Sequence, residues 1–251
     1  MYLKLIIETI LSIGYLPNFH YNDEKGDDDM DRKLNLYIVR HGETILNRYR
    51  KLQGWSDSPL TEEGKVIAME AGQKLAHVPF HRVYTSDLSR TIETANIMLQ
   101  QNQSSRNLDI YKRKAFREVF FGSFEGDGIS HIWSKIAQEN GYELDHSNIK
   151  GLFQNHSTDE ILHFIKKADP FHHAENGDEL WERIETGLAE VVESNSQSQN
   201  ENILIVTHGV VIRKILGQYS DEYHPGIAVK NSSVSTLEFT GNQFKVITMN
   251  Q

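Results

Sequence analysis

The strongest constraint on how this chain folds comes from two short apolar runs, Leu34-Asn35-Leu36-Tyr37-Ile38-Val39 and Ile203-Leu204-Ile205-Val206. Each is followed, one residue on, by a His-Gly pair. Runs of this kind suit strands covered on both faces, as parallel strands in an α/β sheet are. Between them the period alternates. Thr61-Glu62-Glu63 caps a helix running to about Ala76, with acidic residues in its first turn. Arg82-Val83-Tyr84 is a short strand, Asp87 opens a helix through about Gln100, and residues 108–111 form a third strand. A helix from His208 to Leu216 follows the second apolar run. Residues 234–239 and 244–249, joined through Gly241-Asn242, read as a hairpin closing the sheet. This order predicts a three-layer α/β/α domain whose sheet is mostly parallel with an antiparallel edge strand.

At 251 residues the chain could be one large domain or two small ones. It has no cysteine, which excludes disulfides, zinc-thiolate sites and cysteine nucleophiles and fits a reducing cytoplasm. A formal charge of −9 argues against a nucleic-acid-binding surface. It also makes any local cationic cluster more telling, because the pocket sets the local field. Residues 1–29 differ from the rest. Their apolar stretch from Leu5 to Leu16 is broken by Glu8 and Thr9, is shorter than the roughly 20 residues a bilayer span needs, and leads into an acidic run. No membrane association is expected. The expectation is an extension, non-native or disordered, ahead of a domain spanning 30–251 with translation starting naturally at Met30. Residues 127–176 are helical in pattern and carry Trp133, Phe153 and Phe164. They are expected to form a helical cap inserted over the ligand edge of the sheet.

Four separated groups carry chemistry, each after or beside a strand. They are Arg40-His41-Gly42-Glu43-Thr44 with Asn47 beyond, Ser86-Asp87-Leu88-Ser89-Arg90-Thr91 entering a helix, Arg117-Glu118-Val119-Phe120-Phe121-Gly122, and Thr207-His208-Gly209. Parallel topology brings strand ends to one edge, where α/β folds bind their ligands. The edge would then hold two arginines, two histidines and a carboxylate. That inventory suits phosphoryl transfer, which needs a nucleophile, cations for the phosphoryl oxygens and an acid for the leaving group. Gly42 and Gly209 would let backbone approach the ligand, and the helix starting near His208 would add N–H donors.

These motifs make the chain similar to the histidine phosphatase superfamily, in its phosphoglycerate-mutase-like branch 1, over about residues 34–250. The likeness rests on the Arg-His-Gly signature, the Ser-x-Leu-x-Arg-Thr-x-x-Thr-Ala helix start, the Glu before Phe-Gly-x-Phe-Glu-Gly, Thr-His-Gly, and the stretch Gln53-Gly54-Trp55-Ser56-Asp57-Ser58-Pro59-Leu60-Thr61. The resemblance implies a phosphoglycerate-mutase-like fold with His41 as the nucleophile that becomes phosphohistidine. Arg40, Arg90 and His208 would clamp the phosphoryl oxygens, joined by Asn47, Gln53, Gly54 and Gly209 in the phosphate-binding set. Glu118 would protonate the leaving oxygen and then activate water. Neither metal nor cofactor is implied.

The third group separates the family's two reactions. Where the cofactor-dependent mutases resemble one another in carrying Glu-Arg-His-Tyr-Gly, this chain has Glu118-Val119-Phe120-Phe121-Gly122. Losing that Arg and Tyr favours hydrolysis of a small phosphorylated metabolite over mutase chemistry, with a non-catalytic phospho-ligand binder as a further alternative. Asp178 and Glu179 fit the acidic first turn of a helix to about Val192 and receive no catalytic role. His163, His172 and His173 lack metal-ligand spacing. A cytoplasmic location is expected, and a homodimer is left open.

Overall fold

The computed structural model describes residues 33–141, 156–195, 200–224 and 227–251. The expected extension at 1–29, and Phe153, lie outside them. Six strands form one sheet: β1 (Lys33–Arg40), β2 (Arg82–Thr85), β3 (Ile110–Lys112), β4 (Glu201–Thr207), β5 (Val234–Thr240) and β6 (Gln243–Thr248), in the order β3-β2-β4-β1-β5-β6. The pairs β1–β4, β4–β2 and β2–β3 are parallel, while β5 is antiparallel to β1 and β6 to β5. The edge strand β6 therefore pairs antiparallel, as expected, and the strand running against the others is β5, one place in. Gly241 and Asn242 both take positive φ, 56° and 64°, as a two-residue hairpin turn of the right twist requires.

Seven helices are described: α1 (Ile45–Arg48), α2 (Glu62–Lys74), α3 (Ser89–Gln101), α4 (Ile129–Glu139), α5 (Thr158–Ala168), α6 (Gly177–Ser194) and α7 (Gly209–Tyr219). The pleat of the central strands sends alternate side chains into two cores. Leu36 and Ile38 of β1, with Ile203 and Ile205 of β4, belong to one core with buried residues of α4, α5, α6 and α7. Val39, Leu204 and Val206 point the other way, onto α2 and α3. The cap expected at 127–176 is drawn into the first of these cores. Ile132, Trp133, Ile136, Ile161, Leu162 and Ile165 are buried in it with the sheet residues, and Phe164 packs against it. Helices α4 and α5 pack on one another, and α5 also on α6 and α7, while Ile129 N donates to Arg50 O at 3.0 Å and so ties the start of the insertion to the loop after β1. Among the described residues no helix is long and apolar enough to cross a membrane.

Local capping follows the sequence in most places. Thr61 accepts from Gly64 N at the start of α2, and Asn176 with Glu179 closes a capping box on α6. Asp87 departs from expectation. It accepts from Nε and Nη2 of Arg117, at 2.6 and 2.7 Å, and the free N–H of Ser89 at the start of α3 goes instead to Asp57, 32 residues upstream. The one-turn helix α1 is not foreshadowed by periodicity; its Thr44–Asn47 capping box holds it.

Candidate active site

The register of the two central strands assembles the site. Arg40 of β1 lies opposite Thr207 of β4, and His41 N donates to Thr207 O at 2.9 Å. His41 and His208 therefore leave adjacent strand ends together, their rings 5.1 Å apart between centroids and inclined at 63°. Both are buried, at 3% and 0% exposure. His41 Nδ1 lies 2.8 Å from Gly42 O. A carbonyl only accepts, so in the neutral ring Nδ1 carries the hydrogen and the lone pair sits on Nε2. Burial holds the His41 pKa well below 6.5, with Arg90 and Arg40 adding to it and the Gly42 bond opposing. The imidazole is neutral at neutral pH, as a nucleophile must be.

Arg90 is fully buried on α3. Its Nη1 donates to Ser56 O at 2.8 Å and Asp57 Oδ1 at 3.1 Å, and its Nη2 donates to Gly54 O at 2.7 Å. Nη2 also faces His208 Nδ1 at 3.1 Å, and His208 Nε2 lies 2.9 Å from Ser86 Oγ. A guanidinium only donates, so Nδ1 of His208 accepts and Nε2–H points to the serine. Burial, then Arg90, then His41 hold the His208 pKa well below 6.5. With both ring nitrogens engaged, His208 orients Arg90 and reaches a phosphoryl oxygen only if Arg90 yields Nδ1. Arg40 donates from Nη1 to Val229 O at 2.7 Å. Burial lowers its pKa to about 10, against the attraction of Glu118, so it stays cationic at neutral pH. The Nε atoms of both arginines are buried without a hydrogen-bond partner. Two unspent cationic donors beside a neutral histidine match the oxygens of a phosphoryl group.

Glu118 is buried and lies on the start of α7. Its carboxylate accepts from Val210 N at 3.1 Å, Val211 N at 3.3 Å and its neighbour Val119 N at 3.1 Å. The helix donors expected to face a ligand are therefore taken by Glu118, which caps a helix whose N-cap, His208, makes no capping bond with its own side chain. Burial raises the Glu118 pKa, outweighing these N–H groups and the pull of Arg40 and Arg90. An acid that holds its proton longer than usual suits protonation of a leaving oxygen.

The structure brings Arg40, His41, Arg90, Glu118 and His208 together and gives the remaining expected residues supporting places. Asn47 closes the cap of α1. Gln53 accepts from Thr44 Oγ1 at 2.5 Å and donates to Ser58 Oγ at 3.1 Å. Gly54 supplies the carbonyl that holds Arg90. The two glycines of the His-Gly pairs also have neighbours of their own. A Cβ on Gly42 would lie 2.6 Å from Gly64 O, so Gly42 serves the contact of the β1 turn with α2, while one on Gly209 would meet Arg40 at an ordinary 3.4 Å.

Three supporting residues were missed. Glu125 accepts from the backbone N–H of Gly54, Trp55, Ser56 and Phe121 at 2.9–3.1 Å, shaping the loop that holds Arg90. Asp57 joins that loop to α3. Arg183 of α6 spans Glu175 and the carbonyls of Ala115, Arg117 and Glu118, fixing the segment that presents Glu118. Glu125 and Asp57 stand inside stretches already singled out, which was a usable signal; Arg183 is one arginine on an amphipathic helix and gave none. His163, His172 and His173 join no group of three metal-ligating side chains among the described residues.

The family model of the histidine phosphatase superfamily (branch 1) matches residues 36–251. A probable phosphoglycerate mutase GpmB of Salmonella arizonae is 29% identical over 215 residues, covering 84% of this chain and 87% of its own length. The crystal structure of a phosphoglycerate mutase from Bacillus anthracis is 30% identical, with a TM-score of 0.83, covering 89% of this chain and 95% of that one. Bacillus stearothermophilus YhfR is 29% identical, with a TM-score of 0.66 and coverage of 86% and 96%.

Proposed function

The chain belongs to branch 1 of the histidine phosphatase superfamily, and from that premise we propose that it hydrolyses phosphomonoesters of small metabolites through a phosphohistidine. The reading is carried by one observation: neutral His41, its Nδ1 tied to Gly42 O, shares a buried site with the unpaired Nε donors of Arg40 and Arg90. In the first step Nε2 of His41 attacks phosphorus while the arginines take the charge on the phosphoryl oxygens. The ester oxygen leaves with the proton of Glu118. In the second step the Glu118 carboxylate takes a proton from water, whose oxygen attacks phosphorus, and phosphate departs from a restored His41. The arginines supply the positive charge, so the reaction is proposed to need no metal.

The segment after Glu118 supports transfer to water. Val119 and Phe121 are core side chains, and Phe120 lies on Trp55 with ring centroids 4.9 Å apart. None of the three gives the Glu118 side of the site a cation or hydroxyl to retain a phosphoglycerate for return transfer. A mutase is the second reading, favoured by the names of relatives at 29% and 30% identity.

Release of phosphate from p-nitrophenyl phosphate, undiminished by EDTA and lost in His41→Ala, is the expected result. No turnover across pH and substrates would leave a phospho-ligand binder. Stimulation of 3- and 2-phosphoglycerate interconversion by 2,3-bisphosphoglycerate would replace the hydrolase with the mutase.

A further inference from the structure

The nitrogen of His208 that turns away from Arg90 meets two hydroxyls that the chemistry above leaves unused. Ser86 is the first residue after β2, and Thr91 stands in the first turn of α3. Both are fully buried. His208 Nε2 lies 2.9 Å from Ser86 Oγ, which lies 2.8 Å from Thr91 Oγ1. Thr91 Oγ1 is 2.9 Å from Leu88 O and 3.1 Å from Ser86 O. Leu88 N donates to Ser86 Oγ at 3.4 Å.

One placing of the hydrogens satisfies every link of this chain. A guanidinium and a backbone N–H only donate, a carbonyl only accepts, and each hydroxyl has one hydrogen to give. Arg90 Nη2 donates to His208 Nδ1, so Nε2 carries the ring hydrogen and donates it to Ser86 Oγ. The Ser86 hydroxyl then gives its hydrogen to Thr91 Oγ1, and the Thr91 hydroxyl ends the chain on a carbonyl. In the other tautomer Nδ1–H would point at an N–H of Arg90, and the Ser86 hydroxyl would turn from Thr91 to Nε2. The Thr91 hydroxyl would then leave its carbonyls for Ser86 Oγ, or two oxygens would stand 2.8 Å apart with no hydrogen between them. At fully buried positions each lost bond leaves a polar group unsatisfied.

We propose that Ser86 and Thr91 are positioning residues of the phosphoryl site, whose hydroxyls form a one-way relay that fixes the tautomer of His208 and, through Nδ1, the place of Arg90. The effect on turnover rests on the phosphomonoesterase reading, which gives Arg90 its task; the tautomer does not. Neither hydroxyl is free for substrate, since each is spent within the chain. Arg90 keeps its bonds to Gly54 O, Ser56 O and Asp57 when the relay is cut. A lost hydroxyl should therefore misplace the guanidinium rather than release it, lowering kcat more than it raises KM.

The test turns on position 91. Thr91→Val removes the hydroxyl and keeps the shape, while Thr91→Ser keeps the hydroxyl and loses a methyl group. Ser86→Ala cuts the chain one link nearer the ring. On p-nitrophenyl phosphate, Thr91→Val and Ser86→Ala should lower kcat about 10–100-fold with KM within about threefold of wild type, and Thr91→Ser should stay within about threefold in both. Binding of orthovanadate, which mimics the five-coordinate transferring group, should weaken in the same order as kcat. Spectra of ¹⁵N-histidine-labelled protein, with His208 assigned through His208→Gln, read the cause. The ring hydrogen should sit on Nε2 alone in wild type and Thr91→Ser, and be shared between both nitrogens in Thr91→Val and Ser86→Ala. Packing alone predicts the reverse order at position 91, with Val near wild type and Ser poorer. That order, a tautomer unmoved in both hydroxyl deletions, or a shifted tautomer with kcat unchanged overturns the relay and leaves the hydrolase standing. A wild-type protein that hydrolyses no phosphomonoester, yet shows the tautomer shift and the order in vanadate binding, sinks the hydrolase and keeps the relay.

Discussion

Glu118 holds its carboxylate against backbone N–H groups of Val119, Val210 and Val211 at a buried position within electrostatic reach of Arg40 and Arg90. Burial favours its neutral form and those neighbours its charged form, and the balance lies on the neutral side. The residue is thus poised to give a proton in one step and take one in the next. Glu118→Gln keeps the shape and loses the proton. For an alkyl phosphate, whose alkoxide leaves poorly, kcat/KM should fall by about 10²–10⁴-fold, the usual worth of a general acid. For p-nitrophenyl phosphate, which leaves as a stable phenolate, kcat/KM should change far less. The second step still lacks its base, so rapid mixing should show a burst of p-nitrophenolate followed by slow turnover, with phosphate trapped on His41. Equal losses on both substrates, with no burst, would remove Glu118 from the role of acid.

At the scale of elements, what was legible in the sequence and what was not divide by the range of the interaction. Strands β1 and β4 announce themselves because burial on both faces demands apolar side chains at consecutive positions, and α2 and α6 because capping is settled within four residues. Arg40, His41, Arg90 and His208 were legible because each stands beside a strand end or helix start, and Glu118 because it precedes the Phe-Gly-x-Phe-Glu-Gly motif. The partners of the insertion's helices were not, since the pattern of α4 and α5 specifies an apolar stripe without naming what it packs on. Nor was the cap of α3, where Asp57 reaches across 32 residues to Ser89 N. Glycines show the same limit, since the reason for one is the atom it meets. A methyl group on Gly42 would strike the backbone carbonyl of Gly64 at 2.6 Å, which no rotamer change relieves, whereas on Gly209 it would rest against a side chain at ordinary distance. Gly42→Ala should therefore cost about 1–3 kcal/mol by forcing the β1 turn away from α2. Gly209→Ala should cost under about 1 kcal/mol, since alanine is the better helix former. Urea denaturation of the two variants measures the contrast, and equal losses would show that the approach to Gly64 is not what constrains Gly42.

Across the whole molecule, the catalytic edge makes stability depend on pH, because adjacent central strands carry two imidazoles into the interior. Both His41 and His208 are held well below the ordinary 6.5, by burial first and by arginine next. In the unfolded chain they titrate near pH 6.5. Below that value the unfolded chain takes up protons that the folded one refuses, so each histidine lowers stability on acidification, by at most about 1.4 kcal/mol per pH unit. Glu118 acts in the opposite sense. Its folded pKa is raised above the usual 4.5, so its contribution is complete below the unfolded value and is lost as pH rises through the folded one. Asp169, buried but hydrogen-bonded by Ser123, Ala174, Phe171 and His173, has its pKa lowered to about 2. Its contribution is present above the usual 3.8 and disappears only in stronger acid. Between pH 6.5 and 5 the two histidines, whose unfolded forms titrate within that window, therefore oppose Glu118 and Glu185, both raised by burial, and the histidines are expected to prevail. The urea midpoint should fall steadily from pH 7 to pH 5. His208→Gln should start from lower stability, having lost the imidazole bonds to Arg90 and Ser86, but show a shallower slope over the same range, and His41→Gln likewise. A slope unchanged in both variants would mean that the two imidazoles accept protons in the folded protein as readily as in the unfolded chain, and the neutral nucleophile would go with them.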